Sequence, residues 1–302
     1  MNRGASQDRW WTWALLLVAV GALALRLPRL DRRPMHNDEA VNAILFGKLL
    51  EQGVYRYDPD EYHGPALHYA TLPFAVLSGA KDLDHLSERT LRTVTVTAGV
   101  LMILVLGLLR DALGRAGALW AAVLLACSPA MVFYSRYFIH EMGLVLFTLL
   151  VLAAAWRYLN RPGPAWALVA GVALGLMHAT KETFVFSLAA AVPAAAACTM
   201  WRRDPTSGTS ANRFSVRPSH LALGFAAAAL VSVTLFTSFF THARGPIDAW
   251  ATYLPWIRRA GGASPHLHPW TEYFRRLLWF QAERGPVWTE GSVAVLTLAG
   301  MI

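Results

Sequence analysis

The stretch Arg33-Pro34-Met35-His36-Asn37-Asp38-Glu39-Ala40 follows directly after the first long apolar segment of the chain. It places two adjacent carboxylates and a histidine where a membrane protein first emerges into water. Such groups are costly near lipid and suited to proton transfer or ligand binding. Asn37 or Asp38 can cap a helix that ends at Gly53, and the dipole of that helix keeps Asp38 and Glu39 ionised. A solvated helix start without chemistry is the alternative interpretation.

The composition excludes a soluble protein. Of 302 residues, 55% are hydrophobic and only 15% are charged, whereas soluble domains carry about 25% charged residues. The net charge of +8 comes from arginines in short loops between apolar segments. This is the pattern of a multi-pass membrane protein, so we exclude a nucleic-acid partner. Cys127 and Cys198 both lie in apolar segments, and neither a disulfide framework nor a thiolate zinc site is indicated.

Seven apolar segments have about the length of a bilayer crossing, and an eighth begins near Ser292. We therefore predict an all-α, polytopic membrane helix bundle, with residues 1–302 forming one transmembrane domain. Because the eighth segment is still apolar at Ile302, we expect the chain to be a fragment of a longer protein. Gly171 and Gly175 predict close helix packing, and Arg26 is expected to extend toward the headgroups. The predicted spans are 10–25, 93–109, 116–133, 142–156, 165–179, 183–201 and 221–240.

The distribution of arginine predicts the orientation. Loops 110–115, 157–164 and 202–218 hold eight arginines, which places them in the cytoplasm. The N-terminus lies on the same side if residues 65–80 lie along the membrane surface instead of crossing it. The first outer loop, 26–88, is then large and bears short interfacial helices. A second large outer loop covers 241–290. These outer pieces hold the unusual polar residues, which predicts a site on the extracytoplasmic face of the cytoplasmic (inner) membrane.

Further candidate residues lie in the predicted outer loops. Tyr57 and His63 belong to an aromatic, glycine- and proline-containing loop that suits a sugar ring or a lipid headgroup, although an interfacial aromatic belt also explains its tyrosines. Arg136, His140 and Glu141 lie in the turn before the fourth span. The sequence there is not HExxH, which excludes a zincin, and an Arg–Glu pair that caps two helix ends is the alternative.

Two more loops carry candidates. In the turn before the sixth span, Lys181 can hold a phosphate as a point charge or pair with Glu182. No glycine-rich loop precedes Lys181, so it does not belong to a nucleotide-binding P-loop. His266 and His268, in the second outer loop, are by themselves a weak metal signal.

These motifs together resemble the polytopic GT-C glycosyltransferases. Within them the chain is similar to the branch of protein O-mannosyltransferases and lipid A aminoarabinose transferases. It is most similar to the proteins described as flippase-activity-associated. The resemblance rests on four motifs after the first helix: Arg-x4-Asp-x-Arg-Pro-x-His-x-Asp-Glu-Ala, His-Gly-Pro, Ser-Arg-x4-Glu and Thr-Lys-Glu.

The resemblance implies an inverting glycosyltransferase that uses a polyprenyl-phosphate sugar donor and a hydroxyl acceptor on a protein or glycan. In the family an acidic residue of the first outer loop is the catalytic base, which matches Asp38, with Glu39 beside it. Basic residues hold the donor phosphate, and Arg136 and Lys181 match best. The other candidate substrate-binding residues are His36, Tyr57, His63, His140, Glu141, Glu182 and His268.

Three alternatives stay open at this point. A divalent metal on His36, Asp38, Glu39 and His63 is one, since no cofactor is fixed by the sequence. A transporter or flippase accessory for lipid-linked sugars is the second, although carboxylates on a loop and the lack of paired broken helices favour an enzyme. A structural membrane subunit is the third. A single site would require Asp38, Glu39, His63, Arg136 and Lys181 to line one cavity.

Overall fold

The computed structural model describes residues 3–60, 63–201, 216–260 and 269–300. Within these ranges the chain forms fourteen α-helices and one short β-hairpin, so the predicted all-α class is confirmed. The helices are α1 (Arg3–Arg26), α2 (Asn37–Gln52), α3 (Ala66–Ser78), α4 (Glu88–Leu106), α5 (Arg110–Cys127), α6 (Pro129–Ser135), α7 (Glu141–Asn160), α8 (Pro164–His178), α9 (Phe184–Trp201), α10 (Pro218–Phe236), α11 (Gly245–Ala251), α12 (Tyr253–Ala260), α13 (Glu272–Leu278) and α14 (Gly291–Ala299). The hairpin, which the sequence did not predict, pairs β1 (Phe280–Gln281) with β2 (Val287–Trp288).

Each of the seven predicted spans overlaps an apolar helix, namely α1, α4, α5, α7, α8, α9 or α10. Four helical stretches are long and apolar enough to cross a membrane: Arg9–Arg26, Glu88–Cys127, Glu141–Asn160 and Pro218–Phe236. The second of these includes both α4 and α5, and a backbone break at Gly114, where φ is 72°, interrupts α5 near its start. The break falls in the predicted loop 110–115. The chain is a multi-pass membrane protein.

The closest helix packing is between α8 and α10. A Cβ on Gly171 would lie 2.1 Å from the carbonyl oxygen of Gly224, and one on Gly175 would lie 2.6 Å from that of Ala228. Real Cβ atoms do not approach so closely, so these two backbones meet only because glycine occupies both positions. The GxxxG motif therefore has the packing role that its spacing predicts.

The third span differs from its prediction. The helix expected over 116–133 ends at Cys127, because Pro129 lacks an N–H and begins the new helix α6. The carbonyls at the end of α5 then need donors, and Arg26 supplies them at 2.8 Å to Ala126 and 3.1 Å to Leu125. The expectation that Arg26 extends toward the headgroups is wrong: its side chain is fully buried.

The first outer loop contains two of the predicted short helices, α2 and α3. The cap of α2 is His36 and not Asn37 or Asp38: His36 Nδ1 accepts from the Asp38 N–H at 3.3 Å, while the His36 N–H donates to Glu39 at 3.2 Å. This reciprocal pair of bonds is a capping box, and it moves the helix start one residue upstream. As predicted, the helix ends at Gly53, in the left-handed conformation. The placement of α3 along the membrane surface stays a prediction.

The predicted outer loops gather at one end of the bundle. The Tyr55 N–H donates to Ser238 Oγ at 3.0 Å, which joins the first loop to the segment after α10. Tyr253 reaches the Glu182 carbonyl at 3.0 Å and so joins that same region to the turn after α8. A buried apolar cluster containing Phe46, Phe138 and residues of α3 and α4 lies beneath these contacts. The candidate site is built on this end.

Candidate functional site

The two adjacent acidic residues of α2 occupy opposite environments. Glu39 is fully buried. Its Oε1 accepts from Arg92 Nε at 2.7 Å and from the Phe138 N–H at 2.9 Å. Its Oε2 accepts from Arg92 at 2.9 Å, Arg33 at 3.0 Å and the His36 N–H. A carboxylate offers about four lone-pair sites, so Glu39 has no acceptor capacity left for a substrate.

The pKa of Glu39 lies below its ordinary value. Burial acts to raise this pKa, but the hydrogen bonds from Arg92, the Phe138 N–H and the His36 N–H lower it by more in total. Glu39 is therefore an ionised anchor that joins α2 to α4 and to the segment before α7. Because both of its carboxylate oxygens already accept hydrogen bonds, Glu39 is not available to take a proton from a substrate.

Arg92 is a residue that sequence reasoning missed. It is 1% exposed, and besides Glu39 it donates to the carbonyls of Leu30 and Arg33, which fixes the chain between α1 and α2. The predicted span began at residue 93 and so left this arginine outside. A charged residue directly before the predicted apolar span was the available signal, because such residues are rarely placed there without a partner.

Asp38, by contrast, faces an open depression. Its side chain is 66% exposed, and its nearest ionisable partner is His36, at 3.6 Å between Oδ2 and Nδ1. The depression has a volume of about 630 Å³ and is lined by Asp38, His36, Arg33, Tyr137 and Glu141, among others. The guanidinium of Arg33 stacks on the ring of Tyr137, 4.5 Å from its centroid. Asp38 is thus an accessible carboxylate in a pocket that contains a cation, a phenol and a second carboxylate.

Behind this depression lies an ion pair. Glu141, at the start of α7, is one of the lining residues, and its Oε1 lies 2.5 Å from Lys181 Nζ. The Lys181 side chain is 15% exposed and that of Glu141 is 45% exposed. Lys181 is therefore a largely desolvated cation. It does not line the depression itself but contacts Glu141, which does. The alternative that Glu141 pairs with Arg136 is not what the structure shows.

The turn that carries Lys181 is clamped by the first loop. The N–H groups of Gly64 and Ala66 donate to the carbonyls of Thr180 and Ala179 at 3.2 and 2.8 Å. A Cβ on Gly64 would lie 2.2 Å from the Ala179 oxygen, so only glycine permits this approach. The backbone directly before Lys181 is thereby held against the first loop.

The predicted residues His63, His140 and Glu182 belong to the same clamp. His63 Nδ1 lies 2.9 Å from Glu182 Oε2. Burial acts to raise the pKa of Glu182, but this histidine leaves it below its ordinary value. His140 is buried beneath the loop, with Nε2 3.1 Å from the Gly64 carbonyl oxygen. These residues hold two loops together and do not line the Asp38 depression.

Two other predicted residues, Arg136 and Tyr57, lie elsewhere. Arg136 donates to the carbonyls of Leu25, Arg26 and Arg29 at the C-terminal end of α1. Tyr57 is 5% exposed and packs on Phe236 beside a different depression. His268 lies outside the described residues. Asp38, Glu39, His63, Arg136 and Lys181 thus come from one end of the bundle but do not line a single cavity.

The four side chains considered as metal ligands are not assembled as a set. Glu39 forms ion pairs with arginines, and His63 pairs with Glu182. His36 and Asp38, by contrast, lie together at the depression. In the ranges that the structure describes, no group of three or more His, Cys, Asp or Glu side chains is arranged to hold a metal ion.

Comparison with known protein families identifies the chain. The model of the dolichyl-phosphate-mannose-protein mannosyltransferase family matches residues 68–245, more than half of the sequence. The chain belongs to this family. The match includes Arg92, Glu141 and Lys181, and it begins after α2, so Asp38 and Glu39 lie N-terminal to it. A search of curated protein sequences found no significant match.

Solved structures show the same fold for this mannosyltransferase family member. The Archaeoglobus fulgidus oligosaccharyltransferase, crystallised with a tethered acceptor peptide, matches 84% of the chain with 18% identity and a TM-score of 0.57. The S. cerevisiae protein O-mannosyltransferase Pmt1–Pmt2 complex bound to the sugar donor matches 81% with 18% identity and a TM-score of 0.52. The chain spans 36% and 34% of the lengths of those proteins. These likenesses establish a GT-C-type fold.

Proposed function

We propose that the protein is an inverting membrane glycosyltransferase that moves a sugar from a polyprenyl-phosphate donor to an acceptor hydroxyl at the extracytoplasmic face. The acceptor is a hydroxyl of a protein or a glycan. The observation that carries this proposal is the difference in burial and hydrogen bonding between Glu39 and Asp38. The first is saturated with hydrogen bonds and buried, and the second is exposed in a depression of about 630 Å³.

In the proposed reaction Asp38 is the general base. It accepts the proton of the acceptor hydroxyl while that oxygen attacks C1 of the sugar, and the bond between C1 and the phosphate oxygen breaks. Proton transfer by a positioned carboxylate contributes about 10²–10⁴-fold to a rate. The acceptor enters through the open depression, where Tyr137 and Glu141 offer further hydrogen-bonding groups.

The leaving polyprenyl phosphate gains negative charge, which a desolvated cation stabilises better than water does. Of the two cations that the sequence suggested, Lys181 is the better placed. It is only 15% exposed and touches Glu141, a lining residue of the depression. Arg136 donates to two carbonyls at the end of α1 and to that of Arg29 just beyond it, and so acts mainly on the backbone. Arg33, which lines the depression itself, is a second cation within the site.

The test is a transfer assay on the purified full chain. The protein, reconstituted in lipid nanodiscs, is incubated with radiolabelled polyprenyl-phosphate mannose and with serine- and threonine-containing peptides. The expected result is loss of label from the lipid and its appearance on an acceptor or in water. Intact donor that equilibrates across the bilayer of reconstituted vesicles would support the transporter hypothesis instead.

A further inference from the structure

A second polar depression lies at the same end of the bundle as Asp38 but is not part of the proposed site. It has a volume of about 570 Å³ and lies between the C-terminal end of α2, the loop after α2 and the segment before α11. Its lining includes Lys48, Arg56, Arg244, Asp58 and Asp248. Two loops far apart in sequence therefore contribute charges to one concave surface.

The three cations of this depression are available to a ligand. Lys48, Arg56 and Arg244 are exposed. Within the described part of the chain, none of these side chains forms a salt bridge or a hydrogen bond. This contrasts with Arg26, Arg33, Arg92 and Arg136, whose guanidinium groups are all engaged. Unpaired cations that converge on one concave surface favour an anion, most of all a phosphate.

The two carboxylates restrict the choice of anion. Asp58 accepts the Asp60 N–H at 2.9 Å through one oxygen, and its other oxygen has no partner among the described residues. Asp248 lies 3.5 Å from His242, which also lines the depression. A bare phosphate gains nothing from neighbouring carboxylates, whereas a phosphate ester with hydroxyl groups can donate to them.

The separation from Asp38 shows that this is not the donor phosphate site. Lys48 is ten residues beyond Asp38 in the same helix, so the two lie about 15 Å apart along α2. A base and the phosphate of a reacting donor must flank one carbon atom. With Asp38 as the proposed base, the second depression therefore serves a different molecule or a remote part of the donor or acceptor.

We propose that this depression, the Lys48–Arg56–Arg244 pocket, binds a polyol phosphate ester. The cations hold the phosphate, and Asp58 and Asp248 accept hydrogen bonds from the hydroxyl groups. The same chemistry belongs to the headgroup of a glycerol-bearing anionic lipid and to a soluble glycerol or sugar phosphate.

The test measures binding to the purified full chain in neutral detergent micelles. Dihexanoyl phosphatidylglycerol and glycerol 3-phosphate are titrated separately, with dihexanoyl phosphatidylcholine as the probe that has a phosphate but no hydroxyl donors. Tighter binding of phosphatidylglycerol identifies a lipid headgroup as the ligand, and tighter binding of glycerol 3-phosphate identifies a soluble ligand. Equal affinity for phosphatidylcholine, or no saturable binding of either polyol phosphate, overturns the proposal.

Paired variants locate the binding. Arg56→Gln/Arg244→Gln removes one cation from each loop. We expect this double variant to weaken binding about ten-fold or more, because each lost charge-assisted hydrogen bond lowers the affinity several-fold. The matched control, Lys81→Gln/Arg89→Gln, removes two exposed cations from outside the pocket and is expected to change binding less than about two-fold. Equal losses in the two pairs would show general surface attraction and would refute a built pocket. Thermal midpoints of both variants are measured alongside, and equal midpoints assign the loss to binding.

Discussion

Two neighbouring regions at the start of α2 use the same chemical groups in opposite ways. In the buried network, Glu39 accepts from Arg92, Arg33 and two backbone N–H groups, and every partner is fixed. In the depression one residue earlier, the side chain of Asp38 is 66% exposed and lies 3.6 Å from His36. The difference teaches that one member of the acidic pair sets the geometry, whereas the other is exposed and is the one proposed to react. Variants at the two positions should therefore fail in different assays.

The largest effect is expected at Asp38. We predict that Asp38→Asn lowers the transfer rate by about 10²–10⁴-fold, because the amide cannot accept the proton of the acceptor hydroxyl. The thermal midpoint should stay within about 1 °C of wild type, since the side chain is exposed and carries no packing. Transfer kinetics and thermal unfolding of the same preparation check this. Wild-type turnover in this variant would remove Asp38 from the role of base.

Glu39→Gln should show the reverse pattern. The change leaves the buried Arg92 without its charge partner, and breaking a buried pair in this way costs about 3–5 kcal/mol. We therefore expect a large loss of thermal stability and of folded yield. The measurement is unfolding in detergent, with the transfer rate normalised to folded protein. If Glu39→Gln kept its stability and lost only turnover, the anchor and the base would have to exchange roles.

Lys181 tests the link between the two regions, because it reaches the depression through Glu141. Lys181→Ala should weaken use of the donor more than use of the acceptor, by about ten-fold, since the proposed role of this cation is to stabilise the leaving phosphate. Lys181→Arg keeps the charge and should do less damage. Michaelis constants for each substrate, measured with the other saturating, separate these outcomes. Equal losses toward donor and acceptor would favour a purely structural ion pair.

The smallest effect concerns pH. The folded pKa of Glu39 is lowered, by hydrogen bonds that outweigh its burial. A depressed pKa stabilises the folded state above the unfolded value of about 4.3, and this contribution is lost as pH falls through the folded pKa. We expect the thermal midpoint of wild type to fall more steeply between about pH 5 and 3 than that of Glu39→Gln. Parallel slopes for the two proteins would argue against the ionised anchor.

The sequence by itself determined the architecture and the location of the acidic pair. Long apolar segments predict helices whatever their neighbours are, because unpaired backbone groups are too costly in lipid. For this reason each predicted span falls on a helix, although the third ends early at Cys127. The GxxxG contact of Gly171 and Gly175 and the end of α2 at Gly53 also agree with the structure. The motif His36-Asn37-Asp38-Glu39 likewise marked the start of α2 within one residue.

Only the tertiary structure decided which carboxylate is buried and which cation it meets. Arg92 lies 53 residues after Glu39, and the Phe138 N–H lies 99 residues after it. No local pattern connects such positions, since long-range contacts depend on how α4 and α7 pack. The same holds for Arg26, which turned inward only because Pro129 ended α5 early and left carbonyls without donors. Residue type and spacing predict which groups are present, but the roles of Asp38 and Glu39 depend on burial and on hydrogen-bond partners, which packing alone sets.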